Sequence, residues 1–247
     1  MDYFRRIRDN AMFRPPALMR LEDIKELNKK YGDPIVLPGY GILYRYGEEQ
    51  PGPIIFYLHG NADDVIRNAN MLHEMSVKYE CPVYAPEYPG YGLLINRQVG
   101  LERTRKYVYE AYAHTREKFP GRKFIIYGRS LGSGLAGQLI RKAKSDGLVL
   151  ESAMSDAFHV VGIPYYTPFN CLHTSAALRG YENQVLLIHG TADQVINYEE
   201  NFNQNFEACV DPVGCTLENE GHNTINIIDD ERVSKPLSEY IYNVQHG

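Results

Sequence analysis

Short apolar runs alternate with longer amphipathic runs along most of the chain. We predict strands at residues 41–46, 53–59, 82–85, 123–127, 147–150, 184–189 and 215–217. Residues 62–79 favour a helix, because their apolar positions fall on one helical face (Ala62, Val65, Ile66, Ala69 and Leu72). Further helices are predicted at residues 99–118, 130–144, 198–210 and 229–244. The alternation predicts an α/β fold with a mostly parallel central sheet and helices on both faces.

The segment 152–182 breaks this alternation. It contains a proline- and aromatic-rich stretch at residues 164–169 and has no clear period. A connection this long inside a compact domain is usually functional. We therefore expect a single domain over residues 1–247, with 152–182 as a lid-like insertion; a surface excursion packed by its own rings is the alternative. Tyr165, Tyr166 and Phe169 are candidate substrate-binding residues that could form an apolar acyl pocket with Leu172, although an aromatic cluster more often serves packing than specificity.

Composition narrows the function classes. The 247 residues are 44% hydrophobic and 23% charged, as in a soluble globular protein with a substantial core. The net charge of -5 argues against binding to nucleic acid. The four cysteines form no C-x-x-C pair and lack the dense spacing of a disulfide-rich or zinc-binding module. No signal-peptide core or membrane-length apolar run is evident, so we expect a cytoplasmic protein without stable membrane insertion.

The segment Gly128-Arg129-Ser130-Leu131-Gly132 matches the G-x-S-x-G pattern of a nucleophile elbow. It follows the predicted strand 123–127 and precedes a predicted helix, which is the context such an elbow needs. The sharp turn strains the serine backbone and leaves no room for side chains on either side of it, hence the two glycines. Ser130 is therefore the candidate nucleophile, whereas Arg129 has no predicted role.

A serine is a poor nucleophile at neutral pH unless a base and an orienting carboxylate can reach it. Asp193 follows the predicted strand 184–189, and His222 follows the last predicted strand. Both positions are at carboxyl ends of strands, where open parallel sheets bind their ligands. The order Ser, Asp, His is also that of α/β-hydrolases. Glu151 and Asp156 are rival acids, and His59 and His189, which end strands, are expected to be structural.

Acyl transfer also needs hydrogen-bond donors for the oxygen that becomes negative. The residue after the nucleophile, Leu131, can supply one backbone N–H. The loop that leaves the early strand 53–59 can supply the other, because Gly60 allows a close backbone approach there. We therefore predict an oxyanion hole formed by the backbone amides of Asn61 and Leu131.

These motifs together resemble the α/β-hydrolase family. The segments that carry the resemblance are 58–62 (Leu-His-Gly-Asn-Ala), 87–92 (Glu-Tyr-Pro-Gly-Tyr-Gly), 127–134 (Tyr-Gly-Arg-Ser-Leu-Gly-Ser-Gly), 188–193 (Ile-His-Gly-Thr-Ala-Asp) and 221–223 (Gly-His-Asn). Within the family, the chain is most similar to the α/β-hydrolase-domain serine hydrolases that remove palmitate from membrane proteins, and to their uncharacterised bacterial and eukaryotic relatives. The resemblance implies Ser130, Asp193 and His222 as a catalytic triad, and neither a cofactor nor a metal. Those enzymes have a cysteine-rich N-terminal segment that is palmitoylated, whereas the first cysteine of this sequence is Cys81.

We therefore expect a serine hydrolase that cleaves an ester or thioester in a small molecule or an acylated protein. Two alternatives stay open: a serine peptidase of the aminopeptidase type, and a non-catalytic binding protein that retains the hydrolase fold. The oligomeric state, the length of the acyl chain and the leaving group cannot be read from the sequence.

Overall fold

The computed structural model describes residues 8–157 and 171–247 of the chain. It divides the chain into two compact units, residues 1–122 and residues 123–247. The expectation of one domain with a lid-like insertion at 152–182 stays a prediction, since residues 158–170 of that segment lie outside the described residues. In the described part of the chain, no helix combines the length and the apolar character needed to cross a bilayer.

The first unit contains a sheet with mixed strand directions. Its strands are β1 (Ile35–Val36), β2 (Ile42–Tyr46), β3 (Ile54–Leu58) and β4 (Val83–Pro86), in the spatial order β1-β2-β4 with β3 beside β4. β2 is antiparallel to β1 and to β4, whereas β3 and β4 are parallel. All residues of β3 and β4 are buried, which explains their continuous apolar sequence. Its helices include α1 (Leu21–Tyr31), α2 (Ala69–Lys78) and α3 (Leu101–Lys118).

The second unit is a parallel α/β arrangement. Its strands β5 (Phe124–Arg129), β6 (Gly147–Glu151), β7 (Val185–Gly190) and β8 (Pro212–Leu217) pair in chain order, and each pair is parallel. The helices are α4 (Leu131–Ile140), α5 (Thr174–Leu178), α6 (Tyr198–Ala208) and α7 (Glu231–His246). α4 packs on β5, while α6 and α7 pack on β7 and β8. Parallel strands of this kind bring their carboxyl ends, and the loops that follow them, to the same sheet edge.

Each of the seven predicted strands coincides with an observed strand, but the prediction of a helix over 62–79 is wrong in its first part. Turns cover residues 61–62 and 65–68, and α2 begins only at Ala69. The apolar side chains of Val65 and Ile66 are buried as expected. The backbone here does not become helical, because carboxylates accept its N–H groups. The N–H of Val65 donates to Glu87 at 3.2 Å, and the N–H of Arg67 donates to Asp64 at 2.8 Å.

Three short or polar elements escape the sequence pattern. α1 is largely polar and buries only Ile24. β1 has two residues and α5 has five, too few to show a period. The predicted helix 130–144 also ends early, at Ile140. None of these differences changes the positions of the candidate site residues.

Candidate active site

Ser130 occupies a strained turn between β5 and α4. Its backbone has φ 51° and ψ -117°, a conformation that non-glycine residues rarely adopt. Neighbouring groups hold it there: the N–H of Ser130 donates to the carbonyl of Glu151 at 3.0 Å, and the Ser130 carbonyl accepts from the Ser133 hydroxyl at 2.6 Å. This is the geometry expected of a nucleophile elbow.

Gly128 shows why this turn requires glycine. A Cβ atom added there would lie 2.7 Å from the carbonyl oxygen of Gly132 and 2.9 Å from the Cβ of Ala136. The first contact is to backbone, which cannot move aside without opening the turn. The strand and the helix of the elbow therefore approach closely only because position 128 has no side chain.

A chain of hydrogen bonds joins Ser130 to His222 and Asp193. Nδ1 of His222 lies 2.8 Å from Oδ2 of Asp193, and Nε2 lies 3.0 Å from Oγ of Ser130. Nδ1 must donate, because a carboxylate is an acceptor only, and this leaves Nε2 free to accept the hydroxyl proton. The three side chains come from the loops after β5, β7 and β8, as the strand order predicts. Such an arrangement can activate a serine hydroxyl.

Asp193 is buried but remains ionised. Burial alone would raise its pKa, but hydrogen bonds from His189, from His222 and from the backbone N–H of Ile196 hold the pKa of Asp193 well below its usual value. Its Oδ1 atom accepts from the N–H groups of Val195 at 2.9 Å and Ile196 at 2.8 Å. His189, which the sequence marked as structural, is buried and places Nε2 at 3.0 Å from the Ile196 carbonyl and 3.3 Å from Oδ2 of Asp193. The carboxylate facing His222 is therefore fixed from three sides.

The two rival acids have other partners. Oε1 of Glu151 accepts from Nε of Arg129 at 3.1 Å, and Oε2 accepts from the Tyr127 hydroxyl at 2.7 Å. Asp156 lies 2.5 Å from Nδ1 of His173. The acid that meets the imidazole of His222 is thus Asp193.

The loop after β3, in the first unit, contains the second candidate oxyanion donor. The side-chain oxygen of Asn61 accepts from the backbone N–H of Arg14 at 2.6 Å and from the Tyr91 hydroxyl at 2.7 Å. These bonds fix the residue and occupy its side-chain oxygen. Leu131, the other candidate, is the first residue of α4. Backbone N–H groups in the first turn of a helix have no partner within the helix, so they can serve a negatively charged ligand atom.

His59, which precedes the same loop, forms a buried pair with Glu87. Its Nε2 lies 3.0 Å from Oε1 of Glu87, and its Nδ1 lies 2.8 Å from the Gly60 carbonyl. Burial opposes a charge on the ring, but the hydrogen bond and the charge of Glu87 raise the pKa of His59 above its usual value. Both oxygens of Glu87 also accept backbone N–H groups, which fits a carboxylate. This pair holds the start of the loop, a structural role as expected for His59.

The predicted substrate-binding residues Tyr165, Tyr166 and Phe169 lie outside the described residues. Leu172 is described and is fully buried, against α4: a Cβ added to Gly134 would lie 2.8 Å from its Cβ. Within residues 8–157 and 171–247, no cluster of three or more His, Cys, Asp or Glu side chains has the arrangement of a metal site.

Similar proteins were found by sequence and by structure, although no family model matches the chain. The chain is 25% identical over 201 residues to alpha/beta hydrolase domain-containing protein 17B of Homo sapiens, a match that covers 77% of this chain and 68% of that protein. Est1E of Butyrivibrio proteoclasticus, solved with ferulic acid, has a TM-score of 0.65 and 14% identity, covering 84% of this chain and 97% of that one. The chain has the α/β-hydrolase fold. Monoacylglycerol lipase of Paleococcus ferrophilus has a TM-score of 0.60 and 17% identity, covering 83% of this chain and 99% of that one.

The predicted fold class and the predicted resemblance are therefore confirmed. The sequence match to an alpha/beta hydrolase domain-containing protein also supports a hydrolase. On this hydrolase fold, Arg129 is a site residue to which sequence reasoning assigned no role. A signal was present, because Arg129 and Glu151 have opposite charges and end two strands that are adjacent in the chain order. The register of β5 and β6 places the two residues side by side.

Proposed function

We propose that this protein is a serine hydrolase that cleaves an ester or a thioester through an acyl-enzyme on Ser130. The observation that carries the proposal is the hydrogen-bonded chain from Asp193 through His222 to the serine hydroxyl, which lies in a strained elbow. A buried hydroxyl serving only the structure would need neither the positive φ nor an imidazole that is itself held by a carboxylate.

The first half of the reaction forms the acyl-enzyme. Oγ of Ser130 attacks the substrate carbonyl carbon while Nε2 of His222 takes the hydroxyl proton. The resulting imidazolium is stabilised by Asp193, whose low pKa keeps it charged. When the tetrahedral intermediate collapses, the bond to the leaving oxygen or sulfur breaks and Nε2–H gives its proton to that atom. An alcohol or a thiol departs.

The second half releases the acid. Water attacks the acyl carbonyl as Nε2 of His222 takes one of its protons, and the second tetrahedral intermediate breaks the bond to Oγ. The proton then returns from Nε2 to Ser130, so the enzyme is restored and one water is consumed.

Stabilisation of the negative oxygen is assigned to backbone N–H groups. Leu131 supports this proposal, because it follows the nucleophile and begins α4. For Asn61 the proposal rests on its place in the sequence, after the strand β3 and next to Gly60. Loss of one such donor typically costs about 10²- to 10³-fold in rate. Tyr165, Tyr166 and Phe169 as an acyl-binding wall, and a cytoplasmic location, stay predictions of the sequence.

A fluorophosphonate probe tests the reaction type. Wild type should be labelled and should hydrolyse p-nitrophenyl esters, whereas Ser130→Ala should do neither. Ser238→Ala is the matched control, because Ser238 donates only to a carbonyl of its own helix, α7. Labelling that survives in Ser130→Ala would refute the proposal. Absence of labelling and of turnover in folded wild type would favour a binding protein, and faster turnover of aminoacyl amides than of esters would favour a peptidase.

A graded panel of esters tests the substrate class. p-Nitrophenyl esters from acetate to palmitate, compared with an acyl thioester of each length, separate short-chain esterase activity from long-chain thioesterase activity. A profile restricted to short acyl chains would argue against a lipid thioester as substrate.

A further inference from the structure

Arg129, the variable residue inside the G-x-S-x-G motif, ties the nucleophile strand to the loop that carries His222. Its Nη2 atom donates to the backbone carbonyl of His222 at 3.0 Å and to Oδ1 of Asn223 at 2.8 Å. Its Nε atom donates to Glu151 at 3.1 Å. A planar guanidinium can make these bonds in different directions at once, whereas an ammonium group acts as a point charge.

Glu151 is bonded both to the nucleophile Ser130 and to the arginine that contacts His222. Its backbone carbonyl accepts the N–H of Ser130 at 3.0 Å, and its side chain holds Arg129. The carboxylate is buried, and the hydroxyl of Tyr127 occupies its second oxygen at 2.7 Å. Glu151 is therefore linked to the serine backbone through its own carbonyl, and to the His222 carbonyl through its side chain and Arg129.

The other contacts of the His222 loop act on its neighbours. The carbonyl of Glu220 accepts the N–H of Ala192 at 2.9 Å, and the N–H of Gly221 donates to Thr224 at 2.8 Å. These bonds fix the approach to the histidine, and Asp193 fixes one ring nitrogen. Arg129 differs from these groups because it contacts the backbone of His222 itself.

We propose that Arg129 is a positioning residue that holds His222 at proton-transfer distance from Ser130, an inference that rests on the hydrolase function proposed above. The distance matters because a misplacement of about 1 Å can cost about 10²-fold in rate. A role confined to folding would lower stability without changing the reactivity of the serine in the molecules that remain folded.

The variant Arg129→Lys tests the positioning role in a protein that should still fold. Lysine keeps a cation beside the buried Glu151 but cannot reach the His222 carbonyl and Asn223 as well. We expect kcat on a p-nitrophenyl ester to fall about 10- to 100-fold with KM little changed, and fluorophosphonate labelling to slow by the same factor. Arg105→Lys, in an ion pair with the exposed Glu102, is the matched control and should leave kcat unchanged.

A double-mutant cycle with Asn223 shows whether the arginine acts through the loop. Asn223→Ala removes one acceptor and should lower kcat by less than about tenfold. Because both changes break the same link, Arg129→Lys combined with Asn223→Ala should be no slower than Arg129→Lys alone. A kcat for Arg129→Lys within about threefold of wild type, or fully additive effects, would overturn the proposal.

Proton NMR of the His222 Nδ1–H provides a measurement without substrate. The resonance should be sharp in wild type and shifted or broadened in Arg129→Lys, and an unchanged signal would overturn the positioning role. If folded wild type is not labelled by the fluorophosphonate, the proposed function fails, and the NMR comparison still decides whether Arg129 holds His222.

Discussion

Replacing Asp193 with asparagine tests the site through the orientation of one amide. In the wild type, Oδ1 accepts two backbone N–H groups, from Val195 and Ile196, and Oδ2 faces His222. An asparagine should therefore place its oxygen at the Oδ1 position, where the donors are, and its NH₂ group toward His222. Nδ1 of His222 must then accept a hydrogen bond from this NH₂ group. The neutral ring therefore carries its proton on Nε2, and Nε2 cannot take the hydroxyl proton of Ser130.

The hydrogen-bond donors around position 193 disfavour the opposite orientation of the asparagine amide. The flipped amide would direct its NH₂ group at two backbone N–H donors and leave both unpaired, at a cost of about 1–3 kcal/mol each. In the unflipped form the NH₂ group also faces Nε2 of His189, but that atom keeps the Ile196 carbonyl as its acceptor at 3.0 Å. At the lower bound of about 2 kcal/mol in total, the flipped form makes up roughly 3% of the molecules. The loss of the negative charge also removes the stabilisation of the imidazolium. The same change in a Ser-His-Asp triad costs about 10⁴-fold in kcat, or about 5.4 kcal/mol of transition-state stabilisation.

We therefore expect Asp193→Asn to lower kcat on a p-nitrophenyl ester by about 10³- to 10⁴-fold. Asp211→Asn is the control, because Asp211 is exposed and its carboxylate accepts from Gln184 at 3.1 Å, in the loop before β8. Circular dichroism and thermal unfolding should show that both variants fold. A folded Asp193→Asn variant that retains kcat within about tenfold of wild type would refute the orientation argument.

Two further predictions concern stability. Because the pKa of Asp193 is held below its unfolded value of about 3.9, the ionised carboxylate stabilises the fold above that pH, and this contribution is lost as the pH falls through the folded pKa. The gap between wild type and Asp193→Asn in urea unfolding should therefore narrow from about pH 6 to about pH 2.5, and a constant gap would contradict the assignment. Gly128→Ala should lower the free energy of unfolding by about 1–3 kcal/mol, because its Cβ would meet the Gly132 carbonyl. Gly180→Ala, whose Cβ meets nothing within 4 Å, should not destabilise the fold, and equal losses in the two variants would refute the steric argument.

The hydrophobic pattern of the sequence determined the fold class and the position of most strands. This was possible because burial on both faces requires an almost continuous apolar run, as in β3 and β4, where every residue is buried. The candidate nucleophile could be read for a similar reason. A turn as tight as that at Ser130 demands glycine at position 128, and this steric demand leaves a mark in the sequence itself.

The local apolar pattern predicted a helix wrongly where side chains from elsewhere in the chain accept backbone N–H groups. Residues 62–68 have the apolar spacing of a helix, and Val65 and Ile66 do face the core. The N–H groups of Val65 and Arg67 are nevertheless bound by carboxylates, and one of these belongs to Glu87, which is 22 residues from Val65 in the chain. No local propensity contains that information, because the acceptor reaches this loop only when β4 is in place.

The sequence alone also left three acids as possible partners for the base, and it assigned no role to Arg129. Tertiary structure decided both points, since they depend on which side chains converge after the strands have paired. Asp193 meets His222, while Glu151 is occupied by Arg129, which in turn bonds the His222 carbonyl. The order of motifs along the chain predicts that a serine, an acid and a histidine lie at this sheet edge. Only the register of β5 beside β6 and the path of the loops after β7 and β8 determine which of them touch.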